Sequence, residues 1–223
     1  MRHLHGGVTA PITVCHRGAS ALAAENSLEA FRIAMRHGVD YSELDVHLAR
    51  DGSLVVTHDP VLDPVLETEL PRLSDVFDLV RGRMGIYVEL KGDHTGRALG
   101  DLIRGGEAQG VQLISGSAAL DLVAELRRAA PDVTRSILFS VDWRGRTEAM
   151  IAACHELGVT YAHPCFRPIE PALIDAFHLA ELLVMTPHTN DADEARYFAQ
   201  IGVDVIASDD PRIVTPLRLL TRS

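Results

Sequence analysis

Asp40-Tyr41-Ser42-Glu43-Leu44-Asp45-Val46 reads as a β-strand with two unlike faces. Side chains alternate across a strand, so Glu43 and Asp45 project from one face while Leu44 and Val46 project from the other. Two like charges side by side repel. A divalent cation between them relieves the repulsion, and paired carboxylate oxygens suit a hard ion such as Mg2+ or Ca2+. The strand sits in a segment that also holds His16-Arg17-Gly18, Glu25-Asn26-Ser27, Asp51-Gly52 and His58-Asp59, a density of ionisable groups that no helix or strand needs for its own stability.

Outward from this strand, short β-type runs alternate with helical patterns almost from end to end, the signature of a parallel sheet wrapped by helices. Eight such runs are predicted: Ile12–Cys15, Tyr41–His47, Ile86–Leu90, Gln112–Ser115, Ser136–Ser140, Thr160–His163, Leu182–Thr186 and Asp204–Ser208. Between them lie helices with readable ends. Asn26 or Ser27 caps one whose apolar stripe is Leu28, Phe31 and Met35 and which Gly38 closes; Ser74 starts another that stops near Gly82. Eight strands and about eight helices point to an α/β fold, a (β/α)8 TIM barrel with a much reduced insertion after the second strand. An open doubly wound sheet is the runner-up, weakened by the absence of G-x-G-x-x-G and G-x-x-x-x-G-K-S/T loops. Residues 1–223 read as a single domain, because nothing in them resembles a linker. An extra rim strand is expected over Ser53–His58, ahead of an acidic, Pro-containing loop.

The chain is 47% hydrophobic and 23% charged, as in an ordinary globule, and its net charge of -10 argues against a nonspecific nucleic-acid or anionic-membrane surface. No run of 18 apolar residues occurs, and Met1–Gly7 is followed by no signal-peptide core, so no membrane span and a cytoplasmic location are expected. Cys15, Cys154 and Cys165 form no C-x-x-C pair and imply neither a disulfide framework nor a zinc knuckle; Cys15 reads as a small buried hydrophobe.

In a barrel the strand carboxyl ends form the active face, and His16, Glu43, Asp45, Glu89 and Lys91 all fall there. Glu89-Leu90-Lys91 repeats on the third strand the same-face arrangement of Glu43-Leu44-Asp45. Three carboxylates from neighbouring strand ends make half an octahedral shell, while Arg17 and Lys91 are cations suited to phosphate oxygens. Together they point to a phosphate ester.

These residues resemble the glycerophosphodiester phosphodiesterases, part of the phosphatidylinositol phospholipase C-like phosphodiesterase superfamily. The resemblance is carried by His16-Arg17-Gly18, Glu25-Asn26-Ser27 ahead of Ala30-Phe31, Glu43-Leu44-Asp45-Val46, Asp51-Gly52 with Val55-Val56-Thr57-His58-Asp59, Glu89-Leu90-Lys91, and the closing Gly202–Ile206 and Asp209-Asp210-Pro211. It implies a hydrolase of lipid-derived glycerophosphodiesters that releases glycerol 3-phosphate and an alcohol. One divalent cation, Mg2+ or Ca2+, would be held by Glu43, Asp45 and Glu89. His16 and His58 would form the acid/base pair, with His16 taken as base and His58 as acid, and Arg17 and Lys91 would contact the phosphate. The chain departs from the family's pattern in three places. Only Pro60–Leu70 stands where a cap is often inserted, Pro187-His188-Thr189-Asn190 replaces Trp-Thr-Val-Asn, and Ser115-Gly116-Ser117 replaces a Ser-Phe. The pocket is therefore expected to be open. His163, His188 and Trp143 are candidates for the substrate rim, and His47 is read as structural. Two alternatives stand beside hydrolysis: a phospholipase D-like lyase giving a cyclic phosphate, and a catalytically silent binding protein on the same barrel.

Overall fold

Nine strands and nine α-helices lie along the described residues, 10–61 and 63–219, of a computed structural model. The Met1–Gly7 stretch, read above as lacking a signal peptide, lies outside the described residues. The strands are β1 (Ile12–Cys15), β2 (Tyr41–Leu48), β3 (Leu54–Val56), β4 (Gly85–Leu90), β5 (Leu113–Ser117), β6 (Thr134–Phe139), β7 (Tyr161–Pro164), β8 (Leu183–Val184) and β9 (Val205–Ser208). All but β3 run parallel in the order β8-β7-β6-β5-β4-β2-β1-β9. The remaining seam is joined by a parallel bridge between Met185 and Val205, by a hydrogen bond from Asp204 N to Val184 O (3.0 Å), and by the Asp204 carboxylate, which accepts from Val184 N at 2.8 Å. The result is a nearly closed eight-stranded (β/α)8 barrel. β3 is the expected rim strand, antiparallel to the end of β2 with Val46 opposite Val56.

The strand faces divide as the alternation requires. Leu44, Val46, Ile86, Val88 and Leu90 pack outward into the main core between sheet and helices, as does Cys15, whose thiol burial pushes up to about 12. Inside the barrel a second cluster of Val14, Tyr87, Ile114, Leu138, Tyr161, Met185 and Val205 fills the space below the mouth. No helix among the described residues is long and apolar enough to cross a membrane.

Four local expectations change. Helix α1 (Leu28–His37) is capped by Ser27, whose side chain accepts from Ala30 N, and closes at Gly38. Its fully buried face, however, is Ala30, Phe31 and Ala34, with Leu28 and Met35 only partly covered. The small alanine is what the contact needs: a Cβ on Gly18 would stand 2.5 Å from that of Ala30, so the loop after β1 lies directly on the helix. The loop expected over Pro60–Leu70 contains a short helix, α2 (Pro64–Glu69), capped by Asp63 and with no buried residue. Helix α3 (Leu73–Val80) starts before Ser74, because the Arg72 N–H finds its partner in the Asp75 carboxylate (3.1 Å). β8 keeps only two of its five expected residues; the chain leaves the sheet before Pro187, which has no N–H to give. The other helices are α4 (Thr95–Arg104), α5 (Leu120–Ala129), α6 (Thr147–Leu157), α7 (Pro171–Leu179), α8 (Ala192–Gln200) and α9 (Pro211–Val214). α4 lies tightly on α5: a Cβ on Gly96 would meet Leu122 O at 2.2 Å.

Candidate active site

The carboxyl ends of β9, β1, β2 and β4 are adjacent in the barrel and carry most of the ionisable residues singled out above. From β2, Glu43 and Asp45 point inward and are almost fully buried; Glu89 joins them from β4, where it lies opposite Asp45 in register. Carboxylate oxygens of the three lie within 4.8 Å of one another. Burial, then the charges of Asp45 and Glu89, push the Glu43 carboxyl well above the usual range. Glu43 Oε2 accepts from Arg17 N at 2.9 Å. Asp45 Oδ2 accepts from Asn26 Nδ2 (3.1 Å) and lies 3.2 Å from Arg17 Nε.

Lys91 Nζ is 3.2 Å from Asp45 Oδ1 and 3.1 Å from Glu89 Oε1. Burial disfavours its charge, but Glu89 and Asp45 more than offset that and the ammonium is held above its ordinary range. Asp45 Oδ1 is buried and accepts no well-aligned hydrogen bond. Three converging carboxylates, one with an oxygen left short of donors, fit a hard divalent cation. Arg17 reaches Glu25 through Nη1, 3.1 Å from both oxygens, so its guanidinium links the rim to Asp45.

His16 follows β1, with Nε2 4.0 Å from Glu43 Oε2. Its Nδ1–H donates to Asp209 Oδ1 at 2.7 Å, and that bond holds the Asp209 carboxyl far below the usual range. Asn190 Nδ2 donates to the second Asp209 oxygen (2.6 Å). In the neutral tautomer that makes Nδ1 the donor, Nε2 is the acceptor. The His188 ring lies flat on that of His16, centroids 3.9 Å apart and planes 8° from parallel.

His58 stands apart from this group on the rim beyond β3, its Nδ1 2.7 Å from Asp59 Oδ1 and its ring over a third exposed. Its backbone carbonyl accepts from His47 Nε2 (3.0 Å), which gives His47 a structural task. His163 is tied into the opposite wall: Nε2–H donates to Thr186 O (3.0 Å), and Nδ1 faces the Tyr87 hydroxyl at 3.3 Å, itself 2.9 Å from Ser136 Oγ. Burial lowers this imidazole to about 4, so it is neutral near pH 7. Trp143 packs edge-on against Phe139 (5.1 Å) under Arg146.

A cavity of about 270 Å3 opens at this mouth, bounded by His16, Glu43 and Glu89 on one side and by Leu138, His163 and Met185 on the other, with His188 at its edge. Neither His58 nor Trp143 lines it. Three supporting residues carried no site role above, Asn26 having been read only as a helix cap. Asp209 and Asn26 were present in the quoted motifs, whereas Asn190 was visible only as part of a departure. Asn26 adopts the left-handed conformation, φ 56°, that aims its amide at Asp45.

A sequence profile of the glycerophosphoryl diester phosphodiesterase family matches residues 16–81. "Probable glycerophosphodiester phosphodiesterase 1" of Mycobacterium tuberculosis is 51% identical over 53 residues, which are 24% of this chain and 19% of that protein, so the match spans about a fifth of the relative's length. A phosphodiesterase of Oleispira antarctica, solved in complex with the product sn-glycerol-3-phosphate, superposes with a TM-score of 0.81 at 21% identity, covering 93% of this chain and 96% of that one. A glycerophosphodiester phosphodiesterase of Thermotoga maritima gives a TM-score of 0.77 at 24% identity, over 97% and 100%. These two likenesses establish the barrel.

Proposed function

We propose that the chain is a member of the glycerophosphodiester phosphodiesterase family, whose profile matches residues 16–81, and a divalent-cation-dependent hydrolase cleaving small glycerophosphodiesters to glycerol 3-phosphate and an alcohol. The observation that carries this reading is the convergence of Glu43, Asp45 and Glu89 beside a His16 whose free nitrogen faces them. The product bound to the Oleispira antarctica phosphodiesterase is of the same chemical class.

Glu43, Asp45 and Glu89 would hold Mg2+ or Ca2+. Bound there, such an ion supplies Lewis-acid polarisation of the phosphate and offsets the charge that grows in the transition state. His16, its Nδ1–H fixed by Asp209, accepts through Nε2 the proton of the attacking water. As the new P–O bond forms, the bond from phosphorus to the alcohol oxygen breaks. His58 delivers a proton to that oxygen from Nε2, Asp59 having engaged Nδ1. Arg17 and Lys91, the cations beside the three carboxylates, would pair with the phosphate oxygens. His163 borders the space left for the rest of the substrate.

Phosphorus NMR of glycerophosphocholine turnover in 18O-water tests this. Glycerol 3-phosphate carrying one heavy oxygen is expected from the first turnover. An unlabelled cyclic phosphate would replace hydrolysis by the lyase reaction, and no turnover with Mg2+, Ca2+ or Mn2+ would favour the silent binding protein.

A further inference from the structure

We propose that His188 is a positioning residue for His16, holding the ring of the proton-transferring imidazole by face-to-face stacking; this rests on the role given to His16 above. The Asp209 hydrogen bond (2.7 Å) fixes where Nδ1 points but leaves the His16 ring free to rock about the N–H···O axis. Rocking carries Nε2 sideways, away from the site where it must meet a proton. A second ring lying flat on the first, 3.9 Å away and within 8° of parallel, blocks that motion.

His188 is itself well anchored. Its carbonyl accepts from Arg167 Nη2 (3.0 Å), and the same guanidinium pairs with both oxygens of Glu194 at 2.8 and 3.0 Å. Two residues further on, Asn190 donates to Asp209 Oδ2 (2.6 Å) and accepts from Ser208 Oγ (2.9 Å) and Asp209 N (3.0 Å). One short segment, 188–190, therefore delivers both restraints on His16: the stacking ring directly, and the carboxylate orientation through Asn190. Among the described residues no hydrogen bond to the His188 ring nitrogens is found; one of them lies within 4.8 Å of a His16 ring nitrogen and of an Asp209 carboxylate oxygen, and the stack is the closest packing of the ring. The role needs a flat ring rather than an imidazole.

That requirement supplies the test. His188→Ala and His188→Phe are compared with wild type and with His16→Ala on glycerophosphocholine, reading kcat and KM separately, with thermal unfolding as a check on folding. Displacing a reacting group by about 1 Å can cost roughly 100-fold, and loss of one of two restraints is expected to take about tenfold from kcat. His188→Ala should show that fall with KM within about twofold, and His188→Phe should return kcat to within about threefold of wild type. An unchanged kcat in His188→Ala, a change confined to KM, or a Phe variant as slow as Ala would each overturn the proposal. The last two outcomes would make His188 a substrate contact instead. Should His16→Ala retain the wild-type rate, the base role falls and the inference with it; an inactive His16→Ala beside an unaffected His188→Ala removes only the positioning role.

Discussion

Replacing Glu43 by Gln should leave the metal-free protein at least as stable as wild type while abolishing the stabilisation that a divalent cation confers. Glu43 is 5% exposed, and its carboxylate shares the site with those of Asp45 and Glu89, oxygens within 4.8 Å. At that limiting separation and an effective dielectric of about 20, each pair would repel by about 3.5 kcal/mol when both members are ionised, a repulsion that, after burial, helps push the Glu43 carboxyl up. Lys91 and Arg17 offset much of this, but two cations face three carboxylates. A neutral Gln keeps one oxygen able to accept from Arg17 N, so the amide swap removes repulsion without orphaning that donor. A cation held at 100 times its dissociation constant stabilises the folded wild type by about 2.7 kcal/mol. For a chain of this length that is roughly 5 to 11 °C in Tm. The assay is thermal unfolding with chelator, Mg2+ or Ca2+, each for wild type and Glu43→Gln. Equal cation-induced shifts in the two proteins would refute the assignment of Glu43 as a ligand, and a metal-free variant melting well below wild type would refute the claim of repulsion.

Substituting His16 or His58 by Ala should cost roughly 10²- to 10⁴-fold in kcat while leaving the cation-induced Tm shift in place; a wild-type rate in His58→Ala would remove it from the reaction. The pH dependence of stability should carry a His163 signature. Its imidazole is lowered from 6.5 to about 4, so within that window the unfolded chain binds a proton that the folded chain refuses. Stability therefore falls as pH drops from about 6.5 to 4 and this contribution levels off below, amounting to at most about 3 kcal/mol. Urea melts of His163→Phe should show a shallower slope across that window, and an identical slope would count against it. Gly96→Ala should lose about 1 to 3 kcal/mol in the same assay, since its Cβ meets backbone at Leu122 O rather than a movable side chain; an unchanged midpoint would show that α4 can shift. Finally, kcat/KM should vary no more than about tenfold among glycerophosphodiesters of different alcohols, because the exposed His58 and an α2 without buried residues offer little surface to grip a leaving group; a thousandfold preference in a competition assay would contradict this.

The parts of the site that could be read in advance are those set by strand alternation. Leu44 and Val46 are fully buried on the outer face while Glu43 and Asp45 turn inward, as a two-residue period demands. What escaped depends on closure of the barrel. Asp209 lies 193 residues from His16, and their hydrogen bond exists only because β9 returns to pair with β1. The His188 stack likewise requires the turn after β8, where Pro187 ends the strand and no periodicity guides the eye. The buried face of α1 was misjudged for a related reason: the partner pressing on Ala30 is Gly18, whose missing side chain leaves no hydrophobic signal.

The closed barrel also sorts the charge around its mouth. Glu43, Asp45, Glu89, Arg17, Lys91, His16 and Asp209 occupy one continuous arc formed by β4, β2, β1 and β9. Across the cavity, β6, β7 and β8 present Leu138, His163 and Met185, and the one titratable group among them is kept neutral near pH 7 by burial. On the proposed function, a charged His163 would compete with the arc for the phosphate. Its neutrality removes that second anchor. The tautomer imposed by Thr186 O completes the effect, because Nε2–H is spent on a backbone carbonyl and Nδ1 faces a tyrosine hydroxyl. On the proposed function, an ester spanning the mouth would be favoured in one orientation, phosphate against the charged arc and uncharged end against the neutral wall. Such an orientation would keep the attacking oxygen on the side of His16 Nε2, which lies 4.0 Å from Glu43 Oε2.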